Sequence, residues 1–287
     1  MRRSLNAFRF VLLAVLLTGC AADLPEYGPP NGTLFIVGGA ASTDNYETFI
    51  ELAGGSDAKI VVVPTAGGRP TYEAEPIIQR WNENYGATNV VVLHTIDPAE
   101  ADTEEFVRDL LDADAVFFLG GRQWRLVDAY MGTRTCDEFH RVLERGGVIG
   151  GSSAGASIQG SFLARGAEQG NTLMIAPEPE HHFGFAFLRN SAIDQHIDAR
   201  DRWNDLREII MTYPDLLGIG ISEATAVVVN GDEFEVVGRG QVTVHDYYRR
   251  FTYADSSYFL ILDPGERFDM KRRRRIAPPV IETAEAR

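Results

Sequence analysis

Five short apolar runs recur along the first half of the chain: Thr33–Val37, Lys59–Val63, Asn89–Leu93, Ala115–Leu119 and Gly147–Ile149. They are nearly continuous in Val, Ile, Leu and Phe and lack the in–out alternation of a strand with one wet face. Such runs fit strands buried on both sides. The segments between them, near 43–54, 72–85, 103–112 and 134–145, have helical length. Phe106, Leu110 and Leu111 share one helical face, and Gly146 suits a helix C-terminus. This alternation predicts an α/β fold, a mainly parallel sheet covered by helices on both faces. The last third differs. Ala226–Asn230 and Phe234–Val237 flank Gly231-Asp232 as a hairpin, and Gln241–Asp246 and Tyr258–Leu262 add strands, so C-terminal antiparallel strands are expected. Residues 266–287 read as a tail.

No Pro/Ser-rich linker and no internal repeat divides the 287 residues, which favours one large domain. Residues 1–19 stand apart. Arg2 and Arg3 precede the apolar run Phe10–Leu17, and Leu17-Thr18-Gly19-Cys20 resembles a bacterial lipobox. The expectation is a lipoprotein signal peptide cut before Cys20. Lipid on Cys20 would anchor residues 20–31 as a tether, and the domain would start at 32. The protein would be an exported bacterial lipoprotein on the periplasmic or extracellular face of a membrane. Cleavage would remove three arginines and make the formal charge of −14 more negative by three. Such a surface repels nucleic acid and anionic lipid, so the membrane enters only through the N-terminal lipid. Cys136 sits within a helical segment and reads as structural. A homodimer is left open.

Gly151-Ser152-Ser153-Ala154-Gly155 has the form G-x-S-x-G, directly after a strand-like run and before a helix-compatible segment. This is the layout of a nucleophile elbow, which leaves a Ser hydroxyl exposed at a helix N-terminus. Ser153 is the central residue and the candidate nucleophile. Glycine pairs also end other strands, at Gly38-Gly39, Gly67-Gly68 and Gly120-Gly121. Ligands in open α/β sheets bind beyond the carboxyl ends of strands. No G-x-G-x-x-G or P-loop is present, so no cofactor is expected.

A Ser nucleophile needs a base, an acid to orient it and an oxyanion hole. Among six histidines, His196 follows the strand-like run Ser191–Asp194. It precedes a helical segment in which Trp203, Leu206 and Ile210 share an apolar face. It is the candidate base. His181-His182, adjacent on a Pro-containing loop, lacks metal-ligand spacing, and no metal is expected. Elbow hydrolases run Ser, acid, His along the chain. That order selects Glu168 as the acid, with Glu178 second. Backbone N–H groups of Gly121 and Ala154 are the candidate oxyanion hole.

Four segments, Phe118–Gln123, the elbow, Ala192–His196 and Leu217–Ala226, resemble the cyanophycinase branch of the S51 serine peptidases. The resemblance implies a class I glutamine amidotransferase-like fold over 32–265, a Ser-His-acid triad and no metal. It implies release of β-Asp-Arg dipeptides from cyanophycin, or cleavage of aspartyl or isoaspartyl dipeptides, so the partner would be a peptide or polymer with aspartyl residues. By the same resemblance Gln123, Gln195, Arg200 and Arg202 would contact substrate. Arg suits this role because its guanidinium grips a carboxylate in a bidentate fork. Arg200, four residues after His196, would share its helical face. The reading from another class is a non-catalytic surface lipoprotein that binds peptide or polymer.

Overall fold

A computed structural model describes residues 24–170, 172–248 and 259–277. The expected signal peptide, residues 1–19, and Cys20 lie outside the described residues. In chain order the first half comprises β1 (Thr33–Val37), α1 (Thr43–Leu52), β2 (Ile60–Val63), α2 (Ala74–Tyr85), β3 (Val90–Val92), α3 (Pro98–Ala101), β4 (Ala115–Phe118), α4 (Trp124–Tyr130), α5 (Arg134–Glu144) and β5 (Val148–Ser152). Then come α6 (Ala154–Ser157), β6 (Gly160–Phe162), β7 (Leu188–Gln195), α7 (Leu206–Thr212), β8 (Leu217–Ile221), β9 (Thr225–Asn230), β10 (Glu233–Gly238), β11 (Val242–Asp246), β12 (Leu260–Leu262), β13 (Arg267–Asp269) and β14 (Arg274–Ile276).

The strands form two sheets. The larger has the order β14-β13-β10-β9-β1-β5-β4-β2-β3, and the smaller β12-β11-β8-β7-β6. Strands β1 to β5 pair in parallel, as do β6, β7 and β8, while β9 to β14 make the antiparallel flanks. Alternate residues of the central strands serve two cores. Phe35, Val37, Val62 and Phe117 face α1 and α2, where Trp81 meets Phe49 and Phe117 edge-on. Leu34, Ile36, Phe118 and Ile149 face α4, α5 and the smaller sheet, which contributes Ile193 and Ile219. Burial on both faces explains the unbroken apolar runs. Each such side chain withdrawn from water contributes about 1.5–3 kcal/mol.

Four local expectations are corrected. The 103–112 segment is not one α-helix. Asp97 caps α3 by accepting from the Ala99 N–H, and a separate 3₁₀ turn spans Phe106–Leu110. Thr103 Oγ1 accepts from the Phe106 N–H and so sets the start of that turn locally. Residues 25–31 are packed on the domain rather than forming a free tether. Tyr27 is buried, and the N–H groups of Glu26 and Tyr27 both donate to Asp232 Oδ1. The start of the 266–287 segment is likewise part of the domain, because β13 and β14 extend the larger sheet. Phe268 and Met270 are fully buried, with Phe268 stacked on Phe234, a signal that the neighbouring arginines mask in the sequence. Finally, residues 197–201 form a turn, and α7 starts only at Leu206. Among the described residues no helix is long and apolar enough to cross a membrane.

Candidate active site

Ser153 occupies the step from β5 to α6 with φ 59° and ψ −113°. A non-glycine residue there is strained by about 1–3 kcal/mol. The flanking glycines let the turn close. A Cβ on Gly151 would overlap the Gly155 carbonyl, and one on Gly155 would overlap the Phe118 carbonyl. The Ser153 N–H donates to Val37 O at 3.1 Å, which ties the elbow to the end of β1.

His196 lies one residue beyond β7, on the adjoining sheet. Its φ of 56° breaks the strand alternation, and its N–H donates to Gly38 O at 2.7 Å. The imidazole packs so closely on Gly39 that a methyl group there would overlap the ring. Its Nε2 lies 2.9 Å from Ser153 Oγ, and its Nδ1 lies 2.6 Å from Glu223 Oε1. Glu223 sits between β8 and β9, and its N–H donates to Asp198 Oδ1 at 2.9 Å. Ser, His and carboxylate therefore form one relay across the junction of the two sheets.

Burial is the main influence on His196 and pushes its pKa below the ordinary histidine value. The Glu223 carboxylate opposes this, while the charges of Arg200 and Arg202 reinforce it. The imidazole is thus kept neutral at neutral pH, the form that accepts a proton.

Glu223 replaces Glu168 as the acid beside His196. Glu168 lies with Asp128 and His181, and Glu178 is on the turn leading into His181. The Ser, acid, His order does not hold here; the order is Ser, His, acid. The signal was within reach, since Glu223 lies inside the Leu217–Ala226 segment.

The proposed substrate contacts divide sharply. Gln123 is buried and donates both amide hydrogens inward, to Ala164 O at 2.6 Å and Arg165 O at 2.9 Å. Gln195 and Arg202 are buried against each other, with the Arg202 guanidinium 3.8 Å from Asp194. All three bond to neighbouring groups of the protein interior. Arg200 is exposed, on the turn after His196, and among the described residues only its backbone is engaged, donating to His196 O at 3.1 Å.

One charged pair beneath the site was not foreseen. Asp194 is 0% exposed and receives Arg165 Nε at 2.9 Å and Nη2 at 3.1 Å, and Arg165 also reaches Asp205. Removing one partner of such a buried pair costs about 3–5 kcal/mol, because the other charge is left uncompensated. The pair fixes the end of β7 two residues before His196.

The candidate oxyanion donors flank Ser153. Ala154 opens α6, so its N–H has no carbonyl partner within the helix. A Cβ on Gly120 would lie 3.3 Å from Ser153 Cβ, which places the Gly120-Gly121 turn against the nucleophile. Gly121 has φ 150°, and a side chain there would overlap the Ala66 carbonyl. Beyond this turn opens a cleft of about 670 Å³, lined by Gly67, Arg69, Tyr72, Arg80, Trp81 and Leu119 among others. Cys136 is buried, and burial pushes its thiol up to about 12, so it supplies no thiolate.

The model of peptidase family S51 matches residues 34–237. The chain is 30% identical over 220 residues to a cyanophycinase of Geminocystis herdmanii, spanning 75% of this chain and 80% of the relative. It is 30% identical over 255 residues to a cyanophycinase of Synechococcus elongatus, spanning 86% and 77%. Among solved structures it resembles a peptidase from an acI-B1 actinobacterium with TM-score 0.62 and 24% identity, covering 83% of this chain and 97% of that one. At that identity the likeness speaks for the fold.

Proposed function

Because the chain belongs to peptidase family S51 and is a serine peptidase, we propose that Ser153, His196 and Glu223 cleave aspartyl peptide bonds, with cyanophycin-type polymer as substrate and β-Asp-Arg dipeptide as product. The observation that carries this reading is the continuous Ser153–His196–Glu223 hydrogen-bonded relay. Ser153 Oγ attacks the scissile carbonyl carbon while its proton passes to His196 Nε2. Glu223 accepts from Nδ1–H, fixes the tautomer and offsets the imidazolium charge. The N–H groups of Ala154 and Gly121 receive the oxyanion, each contribution worth about 10²–10³ in rate. The imidazolium then protonates the leaving amine, and water, deprotonated by the same imidazole, releases the acyl group.

The aspartyl preference rests on the cyanophycinase relatives and on charge. Exposed Arg200 stands beside the base, and the cleft beyond Gly121 carries Arg69 and Arg80. Cations of this kind suit a substrate bearing free carboxylates. Lipid on Cys20 would place this chemistry outside the cytoplasm. The test incubates the protein with cyanophycin and with α- and β-aspartyl dipeptides, with products read by mass. Release of β-Asp-Arg from the polymer is the expected result. Cleavage of dipeptides alone would move the assignment to an aspartyl dipeptidase, and cleavage of neither class would defeat the aspartyl reading.

The pH profile provides a second check. Arg200 disfavours the imidazolium, so Arg200→Gln is expected to raise the His196 pKa. The acid limb of kcat/KM then moves to higher pH, because the neutral base is lost sooner as pH falls. An unshifted limb would show that Arg200 does not act on the base.

A further inference from the structure

Arg122 and Arg125 follow the Gly120-Gly121 turn that lies against Ser153. Both are only partly exposed, and each guanidinium hydrogen-bonds to backbone carbonyls alone. Arg122 Nη2 donates to Ala167 O at 2.6 Å and also to Gly170 O. Arg125 Nη1 donates to Ala66 O at 3.0 Å, and its Cζ lies 5.1 Å from the centre of the Trp124 ring. This guanidinium packs so closely on Gly68 that a Cβ there would overlap it. Among the described residues neither arginine pairs with an Asp or Glu, whereas Arg165 meets Asp194 and Arg273 meets Asp246. Arg122 Nε is buried without a partner. Burial pushes the Arg122 pKa below the ordinary arginine value, and the neighbouring Arg125 charge pushes it the same way. Two partly desolvated cations with no counter-charge favour a bound anion.

Free donors remain to grip one. Nη1 of Arg122, and Nε and Nη2 of Arg125, are neither buried nor bonded among the described residues. The position adjoins the chemistry. Ala66 O accepts from both the Arg122 N–H and Arg125 Nη1, and it lies against Gly121, the candidate oxyanion donor. Contacts therefore run from Ser153 through Gly120, Gly121 and Ala66 to Arg125, and on through Gly68 to the cleft lined by Gly67 and Arg69. In a β-Asp-Arg unit the side-chain carboxyl of Asp is joined to the arginine amine, so the arginine carboxylate is free. We propose that Arg122 and Arg125 form a subsite for the arginine carboxylate of the unit at the scissile bond and select substrates that carry it. This subsite rests on the aspartyl-peptidase reading of the Ser153 site. Guanidinium donors match a planar carboxylate better than the point charge of a lysine would.

The test compares two oligomers of β-Asp-Arg units, one with its arginine carboxylates free and one with them converted to primary amides. The wild type should favour the free acid in kcat/KM by about tenfold or more. Arg122→Gln and Arg125→Gln should each bring that ratio towards one. A merely structural role would lower both substrates alike and leave the ratio as it was. Arg125→Gln keeps the bonds of Arg122 to the 167–170 loop, so it reads the subsite even if Arg122→Gln loosens that loop. Calorimetric binding of both oligomers to Ser153→Ala, with and without Arg125→Gln, reads the same ratio without turnover. No preference for the free acid in the wild type, or no binding of either oligomer, overturns the subsite. A preference that survives both variants overturns it equally, since another cation such as Arg200 would then hold the carboxylate. Failure of the wild type to cleave either oligomer rejects the aspartyl-peptidase reading, whereas cleavage of both at equal rates rejects the subsite alone.

Discussion

Ser153→Ala is expected to lower kcat by about 10⁶-fold while the protein stays folded. The substitution removes the attacking oxygen and the 2.9 Å contact with His196 Nε2, and nothing else. Backbone anchors remain, because the Ser153 N–H bond to Val37 O does not involve the side chain. The elbow geometry is retained too, since Ala tolerates φ 59° no better and no worse than Ser. The residual rate would come from the oxyanion donors and substrate binding alone. The measurement is steady-state hydrolysis beside a thermal melt. Near-normal turnover with an unchanged melt would remove Ser153 from the mechanism. Ser153→Gly sharpens the comparison. Glycine relieves the positive-φ strain, so this variant should melt above the wild type while being equally inactive. A gain in stability together with a loss of activity is the signature of strain stored for function.

Much of the fold was legible because burial on two faces writes itself into composition. The central parallel strands of the larger sheet bury alternate side chains against opposite layers, so nearly every position is apolar, with Thr33 and Ser152 as polar residues at strand ends. Strands with less to bury were harder to read. Strand β14 is Arg274-Arg275-Ile276, paired to the larger sheet by its backbone, and its composition reads as a solvated tail. Tyr27 was equally hidden. Its burial depends on Asp232, about two hundred positions away, accepting two N–H groups from the 26–27 segment. Within the site, Ser153 and His196 were readable from strand-end context. The interior bonds of Gln123, Gln195 and Arg202 left no mark in the sequence, because a polar side chain near a site serves the interior as readily as a ligand. In the structure Gln123 and Arg202 are buried and donate to backbone carbonyls, and Gln195 is buried and accepts from Arg202.

Glu223→Gln should reduce kcat by about 10⁴-fold, whereas Glu168→Gln should leave it within about twofold. Gln keeps the shape of the Glu223 side chain but not its charge. Its amide can present N–H to Nδ1, which stabilises the tautomer with the proton on Nε2, the wrong form for accepting one from Ser153. Even when the amide oxygen faces Nδ1, the imidazolium formed on attack has lost its counter-charge. The pH dependence gives an independent readout. Glu223 holds the His196 pKa up against burial and the two arginines. Its neutralisation therefore lowers that pKa further, and the acid limb of kcat/KM moves to lower pH, opposite to the Arg200→Gln shift. Glu168→Gln should move neither limb. Equal losses in the two variants, or a larger loss at Glu168, would reject the assignment. Topology explains why the acid follows the base in the chain. Strand β8 neighbours β7 in the smaller sheet, whereas β9 neighbours β1 in the larger one. The connection Ser222-Glu223-Ala224 must cross from one sheet to the other. At that crossing Ile221 and Ser222 press on Gly38, and the Ala224 N–H donates to Gly39 O. The same two glycines hold the His196 backbone and ring. The carboxylate reaches the imidazole because the chain has to pass it there.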